Sequence, residues 1–294
     1  MYTKVNLFRT INNFKIFACI KEHTVQLSSL DDIDRNARHI FLSPHFDDVV
    51  YSCGGTLAVQ VSNGLTPLVI TVFGGIPPAG LEVSPFAFQI HLEMGTANQD
   101  AATIMANRRK EDANALEYLH ANYLWLDYLD AIYRGSPPYY TSQQELIGGE
   151  VYSGDSAIDQ ELARTLVSLH ERLPDAVWYA PLGVGRHVDH QIVTSAADRL
   201  VQHGANVKFY EDFPYVLQAG ALEARLQELG GTLEPAYVEM SEMLPQRLEA
   251  SDLYASQTVL NFGSRANMHK AMADYTHSIR PIKTVHLERY WTPR

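Results

Sequence analysis

Two short segments carry the side chains best suited to chemistry. His45-Phe46-Asp47-Asp48 follows Pro44, and His187-Val188-Asp189-His190 follows the turn Pro181-Leu-Gly-Val-Gly. His45 and Asp48 are three apart. In a turn entering a helix, that spacing puts both side chains on one side. An imidazole nitrogen and a carboxylate oxygen converging there suit Zn²⁺. Asp47 points elsewhere and could stay off a metal and act on a water. His187 and His190 repeat the three-residue spacing, and Asp189 between them could orient an imidazole from behind.

One such pair decides little, since chance supplies about 0.7 His-x-x-Asp pairs in a chain of this composition. Asp47 or Asp48 could equally be a helix N-cap that needs no metal. His187 and His190 could be surface histidines at a helix start, although the positive end of a helix disfavours His⁺ and suits a neutral imidazole. Two sites of the same chemistry, each behind a strand, are much less expected by chance than one. Together they offer His45, Asp48 and one or two histidines. Three protein ligands with an open position describe a catalytic zinc rather than a structural one.

The elements that must position these segments follow a regular alternation. His39 to Ser43 and Pro67 to Phe73 read as strands, the second rich in β-branched residues, with helical spacing from Val49 to Val61 between them. Helix is expected over Gln99 to Ala121, Ile158 to Leu173, His190 to His203, Glu223 to Leu229, Ser241 to Gln257 and Ala266 to Tyr275. Strand is expected over Asn122 to Leu126, Asp175 to Tyr179 and Asn206 to Glu211. This pattern predicts an α/β fold: a Rossmann-like, mostly parallel sheet with helices on both faces. Ligands bind such sheets at the carboxyl ends of the strands, where both segments fall. Gly74 to Asn98 and Tyr133 to Ser156 interrupt the rhythm as long loops, either binding loops or surface excursions. With no repeat and no linker, the expectation is one domain over 1–294, with residues 1–37 as an extension packed on it.

Composition narrows the function. Lys plus Arg is 23 against 34 Asp plus Glu, a formal charge of −11. That balance speaks against coating nucleic acid and against a polybasic membrane anchor. The two cysteines exclude a disulfide framework and a Cys-only zinc site. No apolar run reaches the ~18 residues of a membrane helix. Ile16 to Ile20 is too short for a signal-peptide core, so a cytoplasmic protein without membrane insertion is expected.

Leu42-Ser-Pro-His-Phe-Asp-Asp with Cys53-Gly-Gly after it, and Gly185-Arg-His-Val-Asp-His, resemble the PIG-L/LmbE family of zinc-dependent de-N-acetylases. Arg108-Arg-Lys-Glu-Asp, Leu126-Asp-Tyr-Leu-Asp-Ala-Ile-Tyr-Arg, Tyr210-Glu-Asp-Phe-Pro-Tyr and Tyr254-Ala-Ser-Gln extend the likeness over about residues 38–291. The resemblance implies His45, Asp48 and His190 as ligands of one Zn²⁺ per chain, with Fe²⁺ as another fitting divalent metal. It implies Asp47 as general base, and His187 as the group that polarises the carbonyl or protonates the leaving amine. Arg108 and Asp130 would hold sugar hydroxyls. Gly185 departs from members with a tyrosine there, and whether Tyr215 covers that role is left open.

The expected function is hydrolysis of the N-acetyl group of an N-acetylglucosamine-type sugar or glycoconjugate, a small-molecule partner; a homo-oligomer is compatible with this. The rivals are a zinc amidase for a larger acyl group and a catalytically silent sugar-binding protein. A nucleotide-binding dehydrogenase is disfavoured, because Gly54-Gly55 and Gly74-Gly75 do not fit a G-x-G-x-x-G fingerprint and read as close packing. Cys53 reads as buried packing. Tyr133, Tyr139 and Tyr140 read either as a sugar-stacking surface or as exposed loop residues.

Overall fold

A computed structural model describes residues 24–294. Ile16 to Ile20 and Cys19 lie outside the described residues. Among the described residues, seven strands form one sheet: β1 (His39–Ser43), β2 (Leu68–Thr71), β3 (Asn122–Trp125), β4 (Val177–Pro181), β5 (Asn206–Tyr210), β6 (Leu233–Glu239) and β7 (Leu287–Pro293). Their order is β3-β2-β1-β4-β5-β7-β6. β1 to β5 pair in parallel, while β7 runs antiparallel to β5 and to β6. The parallel core matches the predicted α/β alternation; the antiparallel pair β6–β7 is an addition to it.

The helices are α1 (Asp48–Ser62), α2 (Pro85–Glu93), α3 (Ala101–Tyr118), α4 (Gln143–Leu146), α5 (Ser156–Arg172), α6 (Val188–Gln202), α7 (Ala221–Glu228), α8 (Leu244–Ser251), α9 (Ala255–Phe262) and α10 (Arg265–Ser278). The central strands β1 and β2 are apolar and almost wholly buried, as expected for a sheet covered on both faces. α5 packs on α6, and α1 packs on α8. Gly55 allows the tight fit at α1: a Cβ there would come within 2.7 Å of Glu288 Oε1 and Met240 Cγ. Close packing is therefore the role of that glycine, and Cys53 is buried beside it.

Two expectations are corrected. Gly74 to Asn98 is not a plain loop, since it contains α2, started by Ser84, whose side chain accepts from the Ala87 amide, and by Pro85 at the first turn. Ser241 to Gln257 is not one helix. It breaks between α8 and α9, where Tyr254 leaves helical geometry (φ −90, ψ 58) and its buried hydroxyl donates to Asp112 at 2.7 Å. At the β3 edge, Gln26 bridges Tyr123 in parallel and the Leu27 amide donates to the Tyr123 carbonyl at 2.8 Å. Among the described residues, no helix is long and apolar enough to cross a membrane.

Candidate metal and catalytic site

Four parallel strands deliver the site from their carboxyl ends. β1 runs into Pro44 and His45, β3 into the segment holding Asp130, β4 into the turn before His187, and β5 into Asp212. His45, Asp47, Asp48, Arg108, Asp130 and His187 all line one cavity of about 610 Å³. His190 lies buried beneath it. The structure thus brings together the residues expected as metal ligands, base, carbonyl partner and sugar contacts.

The tautomers of two histidines are fixed from behind. His45 Nε2 donates to Asp189 Oδ2 at 2.9 Å, and His190 Nδ1 donates to Asp212 Oδ1 at 2.7 Å. Each imidazole therefore turns its other nitrogen, with a lone pair, inward. His45 Nδ1 and His190 Nε2 both end 3.3 Å from the same oxygen, Asp48 Oδ2. His190 Nε2 is buried and has no hydrogen-bond partner among the described residues. Three electron-pair donors facing one another repel unless positive charge lies between them. The two 3.3 Å separations match the about 3.3 Å between ligands held about 2.0–2.1 Å from a tetrahedral zinc, and His45, His187 and His190 each bring a ring nitrogen within 4.8 Å of the other two.

The same demand for positive charge appears in the titration of these groups. Burial works against the His190 imidazolium, yet Asp48 and Asp212 push its pKa up to about 9. Burial likewise opposes a charged His45, but Asp130, Asp189 and Asp48 raise it well above the ordinary range. Burial raises Asp48, and the two histidines more than reverse that, holding it well below the usual carboxylate range. A divalent cation would satisfy the same carboxylates without the protons.

His187 differs from the other two. Its Nδ1 accepts from the Asp189 amide at 3.2 Å, which leaves the proton on Nε2. Its ring stands 4.9 Å from that of His45 and 5.4 Å from that of His190. Burial and the neighbouring His45 push its pKa well below the ordinary value, so it is a neutral donor.

Asp47 is held away from the three converging atoms. Arg108 Nη2 donates to its Oδ1 at 3.2 Å, and Asn261 Nδ2 to its Oδ2 at 3.5 Å. Burial and Asp48 raise its pKa from the ordinary range, against the pull of Arg108 and His45. A buried carboxylate whose pKa is raised is suited to taking a proton. Arg108 also reaches Asp130 Oδ2 at 3.5 Å, so its guanidinium bridges the two carboxylates.

Several site residues escape a reading of the sequence. Asp212, the partner of His190, stands at the carboxyl end of β5 inside the Tyr210-Glu-Asp-Phe-Pro-Tyr segment, whose only signal in the sequence is its family likeness. Asn261 on α9 has none. Asp189 does orient an imidazole, but that of His45 rather than of its sequence neighbours. Tyr215 fills the space above Gly185: at φ +81, a Cβ on that glycine would lie 2.6 Å from Tyr215 Cβ. Of the loop tyrosines, Tyr133 lines the cavity and bonds His91 at 2.8 Å. Tyr140 is buried and donates to Asp155, so it is neither a stacking surface nor exposed. Tyr139 stacks on Tyr152 instead, with ring centroids 4.5 Å apart.

Comparison with known proteins gives consistent matches. The PIG-L family model, described as GlcNAc-PI de-N-acetylase, matches residues 40–201. A 2'-N-acetylparomamine deacetylase of Niallia circulans is 33% identical over 185 residues, 60% of this chain and 66% of that protein. The chain thus spans slightly under two thirds of that relative. A protein of the same name from Streptomyces fradiae is 31% identical over 277 residues, 88% of this chain and 91% of that one. Among solved structures, the zinc-inhibited form of a teicoplanin deacetylase superposes with a TM-score of 0.71 at 27% identity, covering 87% of this chain and 97% of that chain.

Proposed function

The chain belongs to the PIG-L family of GlcNAc-PI de-N-acetylases and is an enzyme acting on amide bonds, and on that premise we propose that it is a metal-dependent hydrolase removing the N-acetyl group of an N-acetylglucosamine-type amino sugar or glycoconjugate. The observation that carries this reading is the convergence of His45 Nδ1 and the unpartnered His190 Nε2 on Asp48 Oδ2 at 3.3 Å, beside the cavity. His45, Asp48 and His190 would hold one divalent metal, Zn²⁺ by the nature of the donors or alternatively Fe²⁺. When bound, such a metal supplies a Lewis acid for the amide carbonyl and lowers the pKa of a coordinated water to about 7.

The protein's own groups do the rest. Asp47, kept off the ligand set by Arg108 and Asn261, takes the proton from the attacking water as general base. As charge builds on the carbonyl oxygen, His187 offers its Nε2–H, the tautomer selected by the Asp189 amide. A ring that already donates a hydrogen bond leaves Asp47 as the group that returns the proton to the departing amine. Asp130 and Arg108, which line the cavity, offer an acceptor and donors to the sugar hydroxyls.

Fluorescamine detection of new amines tests this over a panel of N-acetylated amino sugars, with longer N-acyl analogues beside them. Amine release from acetylated sugars, lost with a chelator and restored by Zn²⁺, is the expected result. Release only from the longer acyl compounds would instead favour the larger-acyl amidase, and no release from any would favour a sugar-binding protein.

A further inference from the structure

Behind His45 lies a second group of charges. Arg134 is buried at the start of the segment 134–155 that leads to α5. Its Nη1 pairs with Asp189 Oδ1 at 2.6 Å. Its Nε and Nη2 donate to Asp155 Oδ2 at 3.1 and 2.8 Å, and Nη1 donates to the Leu129 carbonyl at 2.9 Å. The guanidinium carbon also lies 4.9 Å from the Phe73 ring centroid, in cation–π range. Both carboxylates are completely buried. Asp155 is further fixed by the Tyr140 hydroxyl at 2.7 Å. Asp189 uses its other oxygen, Oδ2, to hold His45 Nε2 and the Ala131 amide at 2.9 and 3.0 Å. An unbroken chain of contacts thus runs from Asp155 through Arg134 and Asp189 to His45.

We propose that Arg134 is a positioning residue for the metal site, acting on His45 through Asp189. The inference rests on the assignment of His45 as a ligand. A buried carboxylate without a counter-charge is costly and must move or draw in water. Arg134 supplies that charge through Nη1 alone, while Nε and Nη2 on Asp155 hold the guanidinium in place, an arrangement that a point-charge cation does not reproduce. Asp189 therefore stays where it aims the His45 ring, and Nδ1 stays turned toward Asp48. Asp155 anchors the far side of the guanidinium and ties the segment to the same arginine.

The test is zinc affinity of the folded protein, read by competition with a chromophoric chelator and so independent of turnover. Arg134→Met should raise the zinc Kd 10- to 100-fold, the usual range for losing an outer-shell partner. Asp189→Asn should do the same, and the double variant should bind about as weakly as the weaker single one, because both changes break one path. Asp155→Asn removes the segment's contact but leaves Arg134 to Asp189, and should lose less affinity than Arg134→Met. If Arg134→Met does not fold, Arg134→Lys carries the same cycle. A change under tenfold for Arg134, losses that multiply in the double variant, or an Asp155→Asn loss as large as that of Arg134→Met would overturn the proposal. His190→Ala in the same assay separates the two assignments. Zinc retained there removes the ligand reading itself, while zinc lost there but held normally by Arg134→Met removes only the role of Arg134.

Discussion

Asp189 and Asp112 are both completely buried carboxylates, and the protein treats them in opposite ways. Asp189, behind the metal site, is raised by burial, but Arg134 and His45 reverse this and hold it well below the usual range. Asp112 sits on α3, between β2, β3 and the C-terminal helices. It receives only neutral donors: Trp125 Nε1 at 2.6 Å, Tyr254 Oη at 2.7 Å and Thr71 Oγ1 at 3.4 Å. Burial there raises its pKa to about 7, with the bonds from Trp125 and Tyr254 opposing only part of the rise. The contrast shows where fixed charge is needed. Asp189, which aims the His45 imidazole, is given an arginine, and Asp112, which ties α3 to its neighbours, is left to titrate.

Substitutions can break that contrast. The largest effect is expected at Asp47, the proposed general base at the charged end. Asp47→Asn should lower kcat about 10²- to 10⁴-fold, the usual worth of a general base, while metal content by mass spectrometry stays at wild-type level. Retained activity with metal bound would remove Asp47 from its role.

The neutral end should show itself as pH-dependent stability. The fold raises the pKa of Asp112 above its unfolded value, so it favours the protonated acid. Its contribution is fully present below about pH 4 and is lost as pH rises through about 7. The amide introduced by Asp112→Asn cannot titrate. The stability difference should therefore shift toward that variant between pH 4 and 7, by at most about 4 kcal/mol at about 1.4 kcal/mol per pKa unit. Denaturant midpoints of both proteins across that range measure it, and parallel profiles would contradict the assignment.

The smallest effect concerns the second proposed ligand imidazole. Asp212 holds His190 without an arginine; its Oδ2 is fixed by the Gly183 and Val184 amides, each at 2.9 Å. Asp212→Asn should weaken zinc binding 10- to 100-fold, about 1.4 to 2.7 kcal/mol. An unchanged zinc Kd would mean that the His190 ring is held by packing alone.

The legible part of this site is the part written locally. His45, Asp48, His187 and His190 stand beside turns that end recognisable strands, so their spacing and position can be read together. Asp212 acts on a histidine 22 residues away, and Asn261 reaches Asp47 across 214 residues. No local pattern records such contacts. The Arg134–Asp155 pair lies inside a segment that reads only as a long loop. The fold shows the same divide. The parallel core announces itself through β-branched runs, but Phe86, Phe88, Ile90 and Leu92 alternate with a period of two, which hides the helix α2. β6 carries Pro235 and is half exposed at the sheet edge, so it lacks a strand's apolar signature. The break at Tyr254 follows from a tertiary bond to Asp112 and not from a local breaker.

The central claim is that His45, Asp48 and His190 together hold the metal. Anomalous diffraction at the zinc edge, from crystals of the zinc-loaded protein, tests it most directly. The account predicts one strong peak within bonding distance of His45 Nδ1, Asp48 Oδ2 and His190 Nε2, with Asp47 outside the coordination shell. A peak elsewhere, one that His187 ligates in place of Asp48, or none at all would contradict it.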